Sequence, residues 1–143
     1  MTLLSQILQG KGSDVYGVAP DATVFEALQL MADKNIGAVL VLDEGNVVGI
    51  FSERDYARRV VLEGKSSRET AVSEVMTSNV ICARHNLPVE KCLALMSDKR
   101  FRHMPVLDDG QHLVGIVSIG DVVKAMLNEQ QLIINHLEDY IYQ

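Results

Sequence analysis

The amino-acid sequence predicts an α+β fold built from two copies of one unit, with an extra helical segment at each end. Three observations carry that expectation. First, the chain of 143 residues repeats itself: with Val24 laid on Val89, DATVFEALQLMADKNIGAVLVLDEG meets NLPVEKCLALMSDKRFRHMPVLDDG, and after one inserted residue VVGIFSERD meets LVGIVSIGD. Second, each copy joins a stretch of helical period to two short β-branched runs and a further helix. Third, half of such a repeat is too small to bury its own helical faces. The copies are therefore expected to pack on each other as one pseudo-two-fold symmetric unit with two equivalent clefts.

The elements follow in order. Residues 1–17 form a lead-in in which Leu3, Leu4, Ile7 and Leu8 make a short amphipathic stripe. The first copy spans 18–64. Val24, Ala27, Leu28, Leu30 and Met31 recur at helical spacing and stop before Gly37. AVLVLD at 38–43 is too apolar for a sheet face in water and reads as a strand covered on both sides. Asp43–Asn46 is a tight turn, VVGIF returns as the partner strand, and Ser52 opens a helix through Arg59 and Val60 that Gly64 can end. Residues 65–77, polar over Lys65–Ser73, serve as linker. The second copy, 78–127, repeats the plan with Pro88 near a helix start, a turn at Asp108–His112, and Ser118 opening the last helix. Residues 128–143 continue that helix, with Val122, Val123, Met126, Leu127, Ile133, Ile134, Leu137 and Ile141 supplying its apolar positions.

Composition narrows the function classes. A 48% hydrophobic content with a net charge of −6 argues for a globular chain. The acidic balance, pI ≈ 5.1, argues against nucleic acid, which needs a basic surface to displace counterions. No run of about 18 apolar residues is present to span a membrane. The N-terminus lacks the basic start and apolar core of a secretory signal, and Cys82 and Cys92 have no framework spacing, which suits reduced thiols in a cytoplasm. His85, His103, His112 and His136 lack the spacing of a helical metal pair, and there is no Cys-x-x-Cys clip, phosphate-loop motif or Gly-x-Gly-x-x-Gly. Cys82 and Cys92 read as packing residues, and no two acids stand out as a catalytic pair.

The feature that repetition of a core does not explain is Ser-x-x-Asp in the same place twice, Ser52–Asp55 and Ser118–Asp121, each after Gly-Ile-x. It has two compatible readings. A serine N-cap with an acid in the first turn satisfies orphan amides. The same arrangement offers a hydroxyl and a helix N-terminus to phosphate, and a carboxylate to ribose hydroxyls, with Gly49 and Gly115 allowing close approach.

The duplicated GIFSERD and GIVSIGD, with SEVMT at 73–77 and RHMPVLD inside the second copy, resemble a pair of cystathionine-β-synthase (CBS) domains. The resemblance covers about Val18–Leu127. It extends to SERDYARRVVL and QQLIINHLEDYI, which look like the small stand-alone bacterial-type signal-transduction CBS pairs. It implies a β-α-β-β-α order in each motif. It also implies a non-catalytic Bateman module that binds AMP, ADP, ATP, NAD(H) or S-adenosylmethionine in clefts between the two motifs, with AMP expected first. A homodimer through the CBS-pair helices and a target protein are the implied partners, without nucleic acid or membrane. The alternatives are a structural adaptor with vestigial clefts and, weakest, an enzyme acting on the nucleotide.

Carried over residue by residue, the resemblance gives Asp55 and Asp121 the ribose hydroxyls, and Ser52 and Ser118 the phosphate or the ribose side of it. Arg102, His103 and Met104 would line one wall of the second cleft, with Arg102 and His103 facing phosphate, and Ile81 to Ala83 would border the adenine. Gly37, Ala38 and Val39 would form the equivalent wall of the first cleft. The copies differ there. Arg102-His103 stands where the first copy has Gly37-Ala38, while Arg54, Arg58 and Arg59 stand where the second has Gly120, Lys124 and Ala125. The second cleft is therefore expected to be the better nucleotide site. Arg54 and Arg58 are expected to serve the first if they reach over it; a solvated helix face is the other reading for Arg58 and Arg59.

Overall fold

The architecture is given by a computed structural model, which describes residues 1–142. Val15–Val80 form one compact unit; Met1–Asp14 join the residues from Ile81 onward in another. Each has a three-stranded mixed sheet with helices, so the α+β expectation holds.

In the Val15–Val80 unit, β1 (Gly17–Val18) lies parallel to β2 (Ala38–Asp43), and β3 (Asn46–Ser52) lies antiparallel to β2 on its other side. The turn Asp43–Asn46 puts Glu44 at φ 50° and Gly45 at φ 82°, the doubly left-handed geometry that matches the twist of a tight hairpin. Helix α2 (Val24–Lys34) starts at a capping box: Thr23 Oγ1 accepts from the Glu26 amide at 3.1 Å and Glu26 reaches back to the Thr23 amide. It ends where Asn35 adopts a left-handed conformation. Its Val24, Ala27 and Met31 pack on Val39, Val41 and Phe51 of the sheet, and the first four residues of β2 are buried, as the continuous apolar run predicts. Helix α3 is short (Glu53–Asp55) and continues as a π-helical stretch, Tyr56–Val61.

The other unit repeats this plan. β4 (Ala83–Arg84) is parallel and β6 (Leu113–Ser118) antiparallel to the central β5 (His103–Leu107). Helix α4 (Val89–Lys99) ends at a left-handed Arg100, the counterpart of Asn35, and its Val89, Cys92 and Met96 pack on Met104, Val106 and Val117. Helix α5 (Ile119–Tyr142) follows β6 and is α-helical throughout.

The segment that completes each unit comes from an unexpected part of the chain. Helix α1 (Leu4–Lys11) precedes the first copy yet buries Leu4 and Leu8 in the core of the second. The Leu4 amide donates to Leu87 O at 3.0 Å, the Ser5 amide to His85 O at 2.8 Å, and the Val89 amide to Thr2 O at 2.9 Å. Residues 70–77, within the expected linker, do the same for the first copy. The Val72 amide donates to Ala22 O at 2.7 Å, the Ser73 amide to Pro20 O at 3.1 Å and the Val24 amide to Thr70 O at 2.9 Å, while Val72 and Val75 are fully buried. The bonding is residue for residue the same. Leu8 lies over Gly115 as Met76 lies over Gly49, and a Cβ at either glycine would run into that side chain. This close approach gives both repeated glycines a structural reason.

Candidate functional site

Each unit presents the Ser-x-x-Asp pair where a strand turns into a helix. β3 delivers Ser52 to the start of α3, where its Oγ accepts from the Asp55 amide at 3.2 Å. The Ser52 amide and hydroxyl donate to Asp55 Oδ2 at 3.0 and 3.1 Å. In the other unit Ser118 Oγ accepts from the Asp121 amide at 3.1 Å and the Ser118 amide donates to Asp121 Oδ2 at 2.8 Å. The first helical amides are held by the residue just before the central strand: Glu53 N donates to Gly37 O at 3.1 Å and Ile119 N to Arg102 O at 2.8 Å. The capping reading is therefore true of both copies. The amides of Arg54 and Gly120 are the first-turn donors that none of these bonds uses.

The two carboxylates differ in what else holds them. Thr77 Oγ1 donates to Asp55 Oδ1 at 3.2 Å, so both oxygens of Asp55 are engaged. Lys11 Nζ lies 2.7 Å from Asp121 Oδ2 and 3.0 Å from Ile116 O. Both bonds to Asp121 fall on Oδ2, which leaves Oδ1 without a hydrogen bond among the described residues. Burial pushes the Asp121 carboxyl up, but the bond and charge of Lys11, with the Ser118 amide, outweigh it and hold the group below the usual carboxylate range. Asp121 is thus an ionised, half-buried acceptor whose Oδ1 no described residue engages.

The flanking residues sort by position in the strands. His103 pairs with Ser118 across β5 and β6, and Ala38 pairs with Ser52 across β2 and β3. Directly paired residues share a sheet face, so the second copy sets an imidazole beside its serine where the first sets a methyl. Arg102 is exposed and half-buried Gly37 is its counterpart. Met104 is fully buried, with the Cys92 thiol 3.7 Å from its sulfur, and Ala38, Val39 and Ala83 are buried too. These four side chains face protein, so any contact they make with a ligand is made by backbone. Ile81 is exposed. Its counterpart Tyr16 has its carbonyl bonded by the Leu40 amide at 3.0 Å; Pro105, in the place of Leu40, has no amide to give, so the Ile81 carbonyl lacks that partner. Arg54 and Arg58 are exposed on the first copy's closing helix. Arg59 is exposed, as its solvated-face reading has it, and also donates to Met76 O at 2.7 Å, which fastens the 70–77 segment.

Sequence reasoning missed Lys11 and the partner role of Thr77. A signal was present: TLLSQILQ at 2–9 lies on TAVSEVMT at 70–77 with Thr2 on Thr70 and Ser5 on Ser73. Burial pushes the Cys92 thiol up to about 11 and raises Cys82 as well. Among the described residues no His, Cys, Asp and Glu side chains gather as a metal site, and no helix is long and apolar enough to cross a membrane.

Comparison with known proteins bears on this arrangement. The CBS domain model matches residues 12–62 and 72–128. The chain is similar to a putative signal-transduction protein with CBS domains from Burkholderia ambifaria, 45% identical, with a TM-score of 0.86 over 90% of this chain and 96% of that one. It is 36% identical to a mitochondrial CBS domain-containing protein of Arabidopsis thaliana, CBSX3, over 98% of this chain and 72% of the relative. It is also similar to the CBS domain pair of protein MJ0100, solved in complex with 5′-methylthioadenosine and S-adenosylmethionine, at 28% identity and a TM-score of 0.79, covering 90% of this chain and 98% of that one.

Proposed function

Because the chain belongs to the CBS-domain family, we propose that it is a non-catalytic regulatory module that binds an adenine nucleotide and signals by a change of conformation or of dimer arrangement. AMP is the ligand expected first, with ADP, ATP and NAD(H) as the related candidates. The observation that carries this reading is Asp121: an ionised carboxylate at a helix start, with Oδ1 free of hydrogen bonds among the described residues, next to Ser118 and its strand partner His103, which Arg102 precedes in the chain. A pair of vicinal ribose hydroxyls is matched by such an acceptor. A phosphate is matched by the Ser118 hydroxyl, the Gly120 amide and the Arg102 guanidinium. The MJ0100 domain pair, solved with two adenosine compounds, supports an adenosine ligand class.

The Asp55 site is the weaker partner in this reading. Thr77 and Ser52 take both of its carboxylate oxygens, and the strand residue beside Ser52 is an alanine. Binding transmits a signal only if the ligand favours one of two arrangements of the protein. A homodimer, a target protein and a cytoplasmic setting complete the proposal; reduced cysteines support the last.

Thermal melting with and without millimolar AMP, ATP and NADH tests the reading. A ligand that binds the folded state raises the midpoint, and a rise specific to adenine nucleotides is the expected result. Midpoints unmoved by all three favour the structural adaptor.

A further inference from the structure

Among the described residues nothing packs on the far half of α5. Beyond Gln130 every described side chain is exposed, yet the sequence there is rich in large apolar residues: Leu127 is 60% exposed, Leu137 55% and Ile141 69%. An isolated helical stretch of this length is marginal in water, and an apolar patch of this kind marks an interaction surface.

The pattern identifies the partner. Val123, Leu127, Gln130, Ile134, Leu137 and Ile141 follow one another in alternating steps of four and three, the heptad seam of a two-helix coiled coil. The flanking positions decide the orientation. On one side stand Lys124, Gln131 and Glu138, and on the other Met126, Ile133 and Tyr140. In an antiparallel pair that sets Leu127 against the partner's Leu137, Lys124 meets the partner's Glu138 at both ends of the seam. Ile133 then meets the partner's Ile133, and Met126 meets the partner's Tyr140. In a parallel pair Glu138 would instead flank the partner's Ile133, and the acidic Glu138 and Asp139 of both chains would come together. Charge complementarity thus exists in only one orientation.

We propose that the C-terminal half of α5 pairs antiparallel with the same helix of a second copy of this chain, in the register that joins Lys124 to the partner's Glu138. The single polar seam position, Gln130, falls against the partner's Ile134, a device that fixes register at some cost in stability. This pairing uses no side chain of the Ser118–Asp121 site, although the same helix carries Asp121 in its first turn.

Disulfide trapping of the full chain tests it. Under mild oxidation Ile133→Cys is expected to give a covalent dimer, while Ile134→Cys, which faces Gln130, gives none. Wild type controls for Cys82 and Cys92. Added to Ile133→Cys, either Lys124→Glu or Glu138→Lys should slow trapping severalfold, and the two together should restore it. Lys124, Ile133, Ile134 and Glu138 all lie on an exposed surface, so the variants retain the fold, which the far-ultraviolet spectrum checks. Trapping of Ile133→Cys no faster than wild type, equal trapping of Ile134→Cys, or no rescue by the double reversal would overturn the proposal.

Discussion

Replacing Leu4 by alanine tests the docking of the N-terminal helix on the second repeat. Leu4 is fully buried, among Leu8, Val89 and Cys92, and its own amide is bonded to Leu87 O. Truncation removes the transfer free energy of the lost carbons and leaves a cavity that a backbone held by the Leu87 bond cannot close, a cost of about 3 kcal/mol for such a site. For a chain of this size each kcal/mol moves the melting midpoint by roughly 3 °C, so a fall of about 9 °C is expected. Leu62→Ala is the control: that leucine is 79% exposed. Its loss should cost under about 0.5 kcal/mol. Calorimetric melting reads both, and urea titration should show a lower midpoint for Leu4→Ala with an unchanged slope. A midpoint within about 2 °C of wild type would mean that α1 is not part of the folded core, and the structural equivalence of 2–9 with 70–77 would fall with it.

Lys11→Met should lower stability near neutral pH by about 0.5–1 kcal/mol, the range for a partly exposed pair. Because the folded Asp121 value is depressed, its contribution is present above the unfolded carboxyl value of about 3.9 and is lost as pH falls through the folded value. The gap between wild type and variant, followed by melting against pH, should therefore narrow in acid to what the Lys11–Ile116 O bond contributes; a gap of undiminished size at the lowest pH would contradict the ion pair. Arg59→Ala removes the bonds to Met76 O and Val75 O and should cost about 1 kcal/mol, with faster hydrogen exchange at the Thr77 and Ile50 amides as the local readout. Cys92, raised to about 11 by burial, should stay unreactive to a disulfide reagent at pH 8 until the protein unfolds, whereas half-buried Cys82 should react slowly in the native state.

Local signals in the sequence located most of the framework. The apolar spacing from Val24 to Met31 places α2, the Asp-Glu-Gly-Asn run places its hairpin, and Ser52 and Ser118 mark two helix starts. Each of these depends on neighbours within a few residues. What the sequence hid depends on distant partners. The two-residue strands β1 and β4 carry too little pattern to be seen alone, and α1 joins the second unit through bonds that no local propensity encodes. The π-helical turns after Asp55 have no composition of their own, since the equivalent residues after Asp121 continue as α-helix. At the candidate site the duplicated Ser and Asp were legible because both copies carry them. Lys11 was not, because Gln9 rather than Lys11 is the counterpart of Thr77, and the salt bridge exists only once the chain has folded.

The most direct test of nucleotide sensing is calorimetric titration of AMP into wild type, Asp121→Ala and Asp55→Ala. Removing a charged acceptor from ribose hydroxyls costs about 1.5–3 kcal/mol, so Asp121→Ala should weaken binding by at least about tenfold and Asp55→Ala by much less. AMP affinity that survives Asp121→Ala unchanged and vanishes in Asp55→Ala would contradict the account.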